Sequence, residues 1–283
     1  PVRTFCDGYL PRIGVTVTYY DPLATIDELA ALTTDRTRVI YLETPGSLTF
    51  EMQDIPAIAA WAQDRSIRTI IDNTWATGLY FKPLDHGIDI STHAATKYMC
   101  GHSDVISGAI VCNKDTALAV EQTRDQLGLA MPPDEAYLGL RGLRTMAVRL
   151  PVHWQNGLKL ASYLAGREEV SNVLHPAMEQ DPGYALWSRD FSGASGLFSV
   201  VMRSDISWEQ LNGFLGALKL YGLGYSWGGF ESLCVLQSPK TVRTGSHWPR
   251  PGIGAGYVLR FHAGLEDADD LIEDVEQAFH AMK

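Results

Sequence analysis

The chain has 283 residues, enough for one large domain or two ordinary ones, and 46% of them are hydrophobic and 20% charged. Its net charge of −10 repels a phosphate backbone, which argues against nucleic-acid binding. No apolar run reaches the length of a membrane span and no signal-peptide pattern opens the chain, so we expect no membrane partner. The four cysteines form no C-x-x-C pair and the histidines no H-x-x-x-H pair, so we expect a cytoplasmic protein without a metal site.

The first half of the chain alternates strand-like and helical patterns. Residues 38–42 and 67–71 are short β-branched runs that predict buried strands, and residues 105–112 predict a third. Between the first two, Asp54 predicts the N-cap of a helix that runs through Trp61. This alternation predicts a largely parallel sheet with helices on its faces.

The second half has a different character. A long helical pattern covers residues 134–167, and Ser207 and Gln210 form a capping box that predicts the start of another helix. We interpret this half as a smaller α+β domain, which divides the chain into residues 1–143 and 144–283. The other predicted elements are strands at residues 197–202, 233–237 and 257–261 and a final helix from Glu266.

A carboxylate and a lysine fall where an α/β sheet binds ligands. Asp72 directly follows the strand-like run at residues 67–71, and ligands lie outside the carboxyl ends of such strands. Lys97 follows in the segment THAATKY. The pair suits pyridoxal phosphate (PLP), since a lysine forms the Schiff base and a carboxylate keeps the pyridine nitrogen protonated. On spacing alone, a helix cap for Asp72 and a solvated charge for Lys97 stay open as alternatives.

Five segments resemble, in order, the signatures of the Cys/Met-metabolism family of PLP-dependent enzymes. They are residues 71–76 (IDNTWA), 95–98 (ATKY), 101–104 (GHSD), 141–145 (RGLRT) and 260–267 (RFHAGLED). The resemblance implies an α/β fold of the aspartate aminotransferase type (fold type I, PLP-dependent transferase-like). In that fold a large domain holds a mostly parallel sheet, and a smaller α+β domain follows at the C-terminal end.

The resemblance also implies roles for individual residues. Lys97 would carry PLP as a Schiff base and serve as the proton-transfer base, Asp72 would pair with the pyridinium nitrogen, and Thr96 would contact the phosphate. Arg260 would bind the substrate α-carboxylate, for which its planar fork is suited. The substrate pocket would be lined by Tyr225, Ser226 and Trp227.

Three details are similar to the cystathionine β-lyase group within that family. They are residues 43–47 (ETPGS), where other relatives have E-[ST]-P-x-N-P, residues 93–97 (HAATK) and residues 225–229 (YSWGG). This similarity implies β-elimination of L-cystathionine, an amino-acid substrate, to homocysteine, pyruvate and ammonia by a homotetramer built from dimers. A cystathionine γ-lyase or γ-synthase, or a β-lyase that acts on cystine or cysteine S-conjugates, stays open.

One motif suits a different class of enzyme. Residues 224–228 (GYSWG) match G-x-S-x-G, the nucleophile elbow of serine hydrolases, and Asp267 and His280 follow in hydrolase order. The elbow requires a helix directly after the serine, whereas here another strand-like run follows. A serine hydrolase that uses Ser226 is therefore a remote alternative.

The first residues resemble the interior of the family's cofactor-binding domain. In the family, a tyrosine that stacks on the cofactor, a phosphate-binding loop and an arm that reaches the neighbouring subunit all come earlier. We therefore expect residues 1–283 to belong to a longer polypeptide and to lack strands that flank the Asp72 strand. We also expect them to fold poorly and to hold PLP weakly on their own.

Overall fold

The computed structural model describes residues 1–243 and 245–282, and within them two β-sheets come from successive parts of the chain. The strands are β1 Val39–Glu43, β2 Arg68–Asp72, β3 Ile90–His93, β4 Ala109–Cys112, β5 Val170–Leu174, β6 Leu197–Met202, β7 Gly222–Leu223, β8 Leu233–Gln237 and β9 Val258–His262. The α-helices are α1 Val2–Gly8, α2 Ile26–Leu32, α3 Ile55–Gln63, α4 Thr77–Tyr80, α5 Lys114–Gln126, α6 Pro133–Ala165, α7 Tyr184–Asp190, α8 Trp208–Ala217, α9 Pro239–Val242 and α10 Ala268–His280, and 3-10 helices lie at Leu10–Ile13 and Pro83–His86.

The first sheet has the strand order β1-β2-β3-β4. The β1–β2 and β2–β3 pairs are parallel, as predicted, whereas β4 is antiparallel to β3 and begins at Ala109, later than expected. Strand β3 was not predicted, because a run of four residues with one strongly apolar side chain gives little periodicity. Since β2 lies between β1 and β3, the expectation that the Asp72 strand lacks flanking strands is wrong.

Helix α3 shows why the first half folds around this sheet. The Asp54 side chain accepts the N–H of Ala57 at 3.3 Å, which confirms the predicted N-cap. Ile55, Ile58 and Ala62 recur at helical spacing, and all three are buried against apolar residues of β1 and β2. The helix therefore covers a face of the sheet, while Glu43 and Asp72 end β1 and β2 in register with each other.

The second sheet has the order β5-β6-β9-β8-β7 and is mainly antiparallel. Strands β6 and β8 occupy the predicted residues, and β9 begins one residue later than predicted. The capping box of Ser207 and Gln210 is formed and begins α8 as predicted. Helices α6, α8 and α10 pack with this sheet into one apolar core, which fixes the position of β9.

Helix α6, 33 residues long, leads from the first sheet to the second. It runs through the predicted boundary between residues 143 and 144, and the division into two domains stays a prediction. At Gly142 the helix approaches the main chain of Met99 and Cys100 so closely that a Cβ would lie 2.4 Å from their carbonyl oxygens. Across the described ranges no helix, α6 included, has the length and apolarity needed to cross a membrane.

Candidate active site

Asp72 ends β2 and is held there by Thr74. The N–H and the hydroxyl of Thr74 both donate to Asp72 Oδ1, at 2.9 Å and 2.5 Å. The Thr74 hydroxyl in turn accepts the N–H of Ala94 at 2.9 Å, and the Ala94 carbonyl accepts the N–H of Lys97 at 3.0 Å. These bonds fix Asp72 through one oxygen and connect it to the turn that carries Lys97.

Glu43 lies beside Asp72 at the end of the neighbouring strand. Burial, and secondly the charge of Asp72, raises the pKa of Glu43 to about 7, while the hydroxyl of Ser47 donates to its carboxylate. Two adjacent carboxylates thus meet at one edge of the sheet. Sequence reasoning used Glu43 only as part of the segment ETPGS and did not predict its proximity to Asp72, since the pairing register is not visible in the sequence.

Lys97 is half-buried in the crevice between the two halves of the chain. Its Nζ donates to Ser226 Oγ at 2.9 Å and lies 5.3 Å from the centroid of the Trp227 ring. Burial lowers the pKa of Lys97, and the nearby charge of Arg260 lowers it further. The surroundings therefore favour the neutral amine, which is the form that acts as a nucleophile or a base.

Arg260 enters the same crevice from the middle of β9, where it is paired with Ser199 of β6 and Val235 of β8. Its Nη2 donates to the main-chain carbonyl of Tyr225, and its Cζ lies 5.9 Å from the Tyr225 ring centroid. Burial lowers the pKa of Arg260. Among the described residues no carboxylate oxygen lies within 4.0 Å of its guanidinium, so its charge is available to an anion.

Thr96 lies beside Lys97, but its hydroxyl is occupied by neighbouring main chain. It donates to the carbonyl of Ser107 at 3.2 Å and accepts the N–H of Ser107 at 3.0 Å. These bonds stabilise the loop between β3 and β4. A phosphate contact by Thr96 stays a prediction.

Sequence reasoning missed two supports of this site. Arg149 of α6 is buried and donates from Nη2 to the carbonyls of Tyr98 and Gly142, both at 2.9 Å, so it holds the chain just after Lys97. His262 is buried beneath Gly228 and accepts its N–H. Gly142, Tyr98 and His262 do lie in the quoted segments. These motifs therefore include residues that hold the site in place as well as residues with a chemical role.

The G-x-S-x-G match does not form a nucleophile elbow. The residues that follow Ser226 are not helical and lead into β8. Its hydroxyl faces Lys97, while Asp267 caps α10 and His280 lies within that helix. The hydrolase alternative therefore lacks both the backbone and the triad geometry that it requires.

A family model described as "Cys/Met metabolism PLP-dependent enzyme" matches residues 1–280. The chain belongs to this Cys/Met-metabolism family. A putative cystathionine β-lyase from Rhizobium johnstonii is 46% identical, over 99% of this chain and 70% of that protein. Cystathionine β-lyase MetC of Escherichia coli is 42% identical, over 99% of this chain and 71% of that protein. The crystal structure of cystathionine γ-lyase from Lactobacillus plantarum complexed with L-serine superposes with a TM-score of 0.88 at 31% identity, over 99% of this chain and 73% of that one.

These comparisons confirm the predicted family and fold class, and PLP is the cofactor of the family. The residues present fit that cofactor. Lys97 offers an amine whose pKa is lowered, and Asp72 has one oxygen held by Thr74 and a second oxygen for which the described residues provide no hydrogen-bond donor. An amine and a carboxylate oxygen are thus available where a polar cofactor would lie.

Proposed function

We propose that this chain catalyses the PLP-dependent β-elimination of L-cystathionine to homocysteine, pyruvate and ammonia. The observation that carries the proposal is the convergence of Lys97, Ser226 and the unneutralised Arg260 across the crevice. The proposal is also supported by the identity of 42–46% between this chain and proteins named cystathionine β-lyases. A γ-lyase is favoured less, since the γ-lyase of Dictyostelium discoideum is 33% identical.

Two basic side chains would divide substrate binding and proton transfer between them. Arg260, whose guanidinium forms no ion pair with a carboxylate of the described residues, would bind the α-carboxylate through its planar fork. Lys97, with its pKa lowered by burial and by Arg260, would accept the α-proton as a neutral amine. Because Arg260 both binds the substrate and lowers the pKa of the base, binding and proton transfer would depend on the same guanidinium.

The remaining groups would hold the reacting atoms in place. PLP held in this site would supply an electron sink for the negative charge that develops on the substrate α-carbon once the substrate has displaced Lys97. Asp72 would keep a proton on the pyridine nitrogen, and Thr74 would keep Asp72 oriented. Ser226 would hold the Lys97 amine while it is released from the cofactor, and Tyr225 and Trp227 would exclude water beside it. Thr96 would contact the phosphate after exchanging its bonds to Ser107.

Assembly, location and domain division are further proposals. We propose a homotetramer from the resemblance to the family, a cytoplasmic location from the scattered cysteines, and the division into residues 1–143 and 144–283 from the change in pattern along the sequence.

An incubation with L-cystathionine tests the proposed reaction directly. PLP is added, and homocysteine, pyruvate, cysteine and 2-oxobutyrate are quantified together. We expect homocysteine and pyruvate in equal amounts. Cysteine with 2-oxobutyrate would instead assign the chain to γ-elimination, and no product from any cystathionine bond would refute a cystathionine lyase altogether.

A further inference from the structure

Strand β9 presents two polar residues to the crevice. Arg260 and His262 are two positions apart, so they lie on the same face of the strand. Arg260 reaches the Tyr225 carbonyl, whereas His262 is only 1% exposed and lies beneath the segment that carries Ser226 and Trp227. No step of the proposed reaction uses this histidine.

One nitrogen of His262 fixes the turn at Gly228. The Gly228 N–H donates to His262 Nε2 at 3.0 Å, and the Gly229 carbonyl lies 3.2 Å from the same atom. Because an N–H can only donate, Nε2 is the acceptor and the ring proton is on Nδ1. Gly228 has φ +79°, and a Cβ there would lie 3.0 Å from the Cα of Lys97. The turn held by His262 therefore packs directly against the backbone of the lysine.

The other side of the ring faces Tyr98, the residue after Lys97. His262 Nδ1 lies 3.5 Å from Tyr98 Oη, which also accepts the N–H of Gly196 at 3.1 Å. The Tyr98 ring packs edge-on against Trp227, with centroids 5.5 Å apart. His262 thus contacts both segments that must meet: residues 97–98 and residues 226–228.

The ring is suited to remain neutral while it does this. Burial lowers the pKa of His262 far below its usual range, and His153, Arg260 and Lys97 lower it further. A neutral imidazole offers one acceptor and one donor in a fixed plane. The donor and acceptor nitrogens of His262 therefore stay the same when Lys97 gains or loses a proton.

We infer that His262 is a positioning residue, which holds the Gly228 turn against Lys97 and thereby keeps Ser226 Oγ within hydrogen-bond distance of Lys97 Nζ. His262 touches neither substrate nor cofactor in this role and acts through Ser226. The inference rests on the proposed function only for its substrate assays.

Three substitutions separate this role from simple filling of space. His262→Phe keeps a ring but removes the acceptor, His262→Gln places an amide oxygen near the Nε2 position, and His262→Asn reaches only the Nδ1 position. In the PLP-loaded protein we expect His262→Phe and His262→Asn to lower kcat/KM about a hundredfold, as for misplaced catalytic groups, and His262→Gln to stay within about fivefold. If His262→Phe fails to fold, the Gln and Asn variants carry the test, and equal behaviour of these two would overturn the inference.

A double-mutant cycle with Ser226→Ala identifies the group through which His262 acts. If His262 works by holding Ser226, His262→Phe (or His262→Asn) in the Ser226→Ala background should cost less than about threefold. The full loss in that background would show that His262 acts independently of Ser226 and would overturn the inference.

Two readouts need no substrate. The pH titration of the bound cofactor's visible absorption should shift by about one pH unit in His262→Asn and stay unchanged in His262→Gln. Hydrogen exchange at the Gly228 amide should be faster in His262→Asn than in the wild type, and should stay at the wild-type rate in His262→Gln. His175→Gln, another fully buried histidine, is the matched control, which should lower stability without moving either readout. An unshifted titration with slow Gly228 exchange in His262→Asn would refute the positioning role, whereas absence of cystathionine cleavage in the wild type would refute only the proposed function.

Discussion

Lys97 Nζ lies 2.9 Å from Ser226 Oγ, although 129 residues of chain separate the two. Lys97 comes from the connection between β3 and β4 of the first sheet, and Ser226 from the connection between β7 and β8 of the second. The amine is therefore placed by the packing of the two halves of the chain against each other. Its geometry depends on long-range packing as well as on the local motif.

Lys97→Ala should abolish the visible absorption of the lysine-bound cofactor and nearly all turnover, because no other group replaces the Schiff-base amine. The visible absorbance of the cofactor and the release of pyruvate measure the two effects. Lys114→Ala, at an exposed lysine that begins α5, is the control and should retain both. Full turnover in Lys97→Ala would show that the lysine assignment is wrong.

Asp72→Asn should change the electronics of the site more than its shape. The Thr74 hydroxyl and N–H can still donate to the amide oxygen, but the charge that holds the pyridine proton is lost. We expect the rate of α-proton removal to fall on the order of a thousandfold, or about 4 kcal/mol in barrier. Single-turnover kinetics with deuterated substrate report that step, and Asp85→Asn at an exposed position is the control. A decrease of less than tenfold would assign the role to another group.

Arg260→Lys retains a positive charge but loses the bidentate fork. We expect kcat/KM for cystathionine to fall about a hundredfold, mainly through KM, with the cofactor spectrum intact. Arg203→Lys, on an exposed arginine that pairs with Asp205, should leave kcat/KM unchanged. A collapsed spectrum together with unchanged substrate affinity would indicate that Arg260 is structural.

Glu51 connects the loop after β1 to the segment before β9. Its carboxylate is nearly buried and pairs with Arg243 at 3.0 Å and with Arg250 at 2.7 Å. Glu51→Gln leaves both guanidinium groups without this partner, so we expect the free energy of unfolding to fall by about 3 kcal/mol. Urea denaturation measures this free energy, and Glu121→Gln at an exposed site is the control. Unchanged stability would show that Asp21, which pairs with Arg250, compensates fully.

His175 should make the protein sensitive to mild acid. It is fully buried, and burial lowers its pKa to about 4, below the value of about 6.5 expected in the unfolded chain. The folded state therefore binds this proton less readily than the unfolded state, so stability present above pH 6.5 is lost as the pH falls toward 4. The loss from this group is on the order of 3 kcal/mol at pH 4. His175→Gln should reduce the loss of stability between those values by that amount, while the similarly buried His153 keeps its own contribution, and His280→Gln, at an exposed histidine, should leave the profile unchanged.

The sequence predicted local elements and single motifs well. Strand β6, the cap at Asp54 and the capping box at Ser207 follow from side-chain periodicity and hydrogen-bonding chemistry that each segment carries within itself. Strand β3 was missed because four residues define no period, and the antiparallel direction of β4 is set by its pairing partner. The supports at Arg149 and His262 were missed for a related reason. Their roles lie in contacts with distant main chain, at Tyr98 and Gly228, so a motif can include His262 without revealing what it binds.

Successive side chains of strand β9 lie on opposite faces of the sheet and have different roles. Arg260 and His262 face the crevice, while Leu259 and Phe261 are buried in the second core, where Phe261 stacks on Phe198. An apolar exchange at Leu259 or Phe261 that the core accommodates by a small strand shift would carry Arg260 with it. Substitutions in this core would therefore affect the position of Arg260 even where the fold accommodates them, and libraries that aim at new thioether substrates should vary Tyr225 and Trp227 while keeping Ser226 and β9.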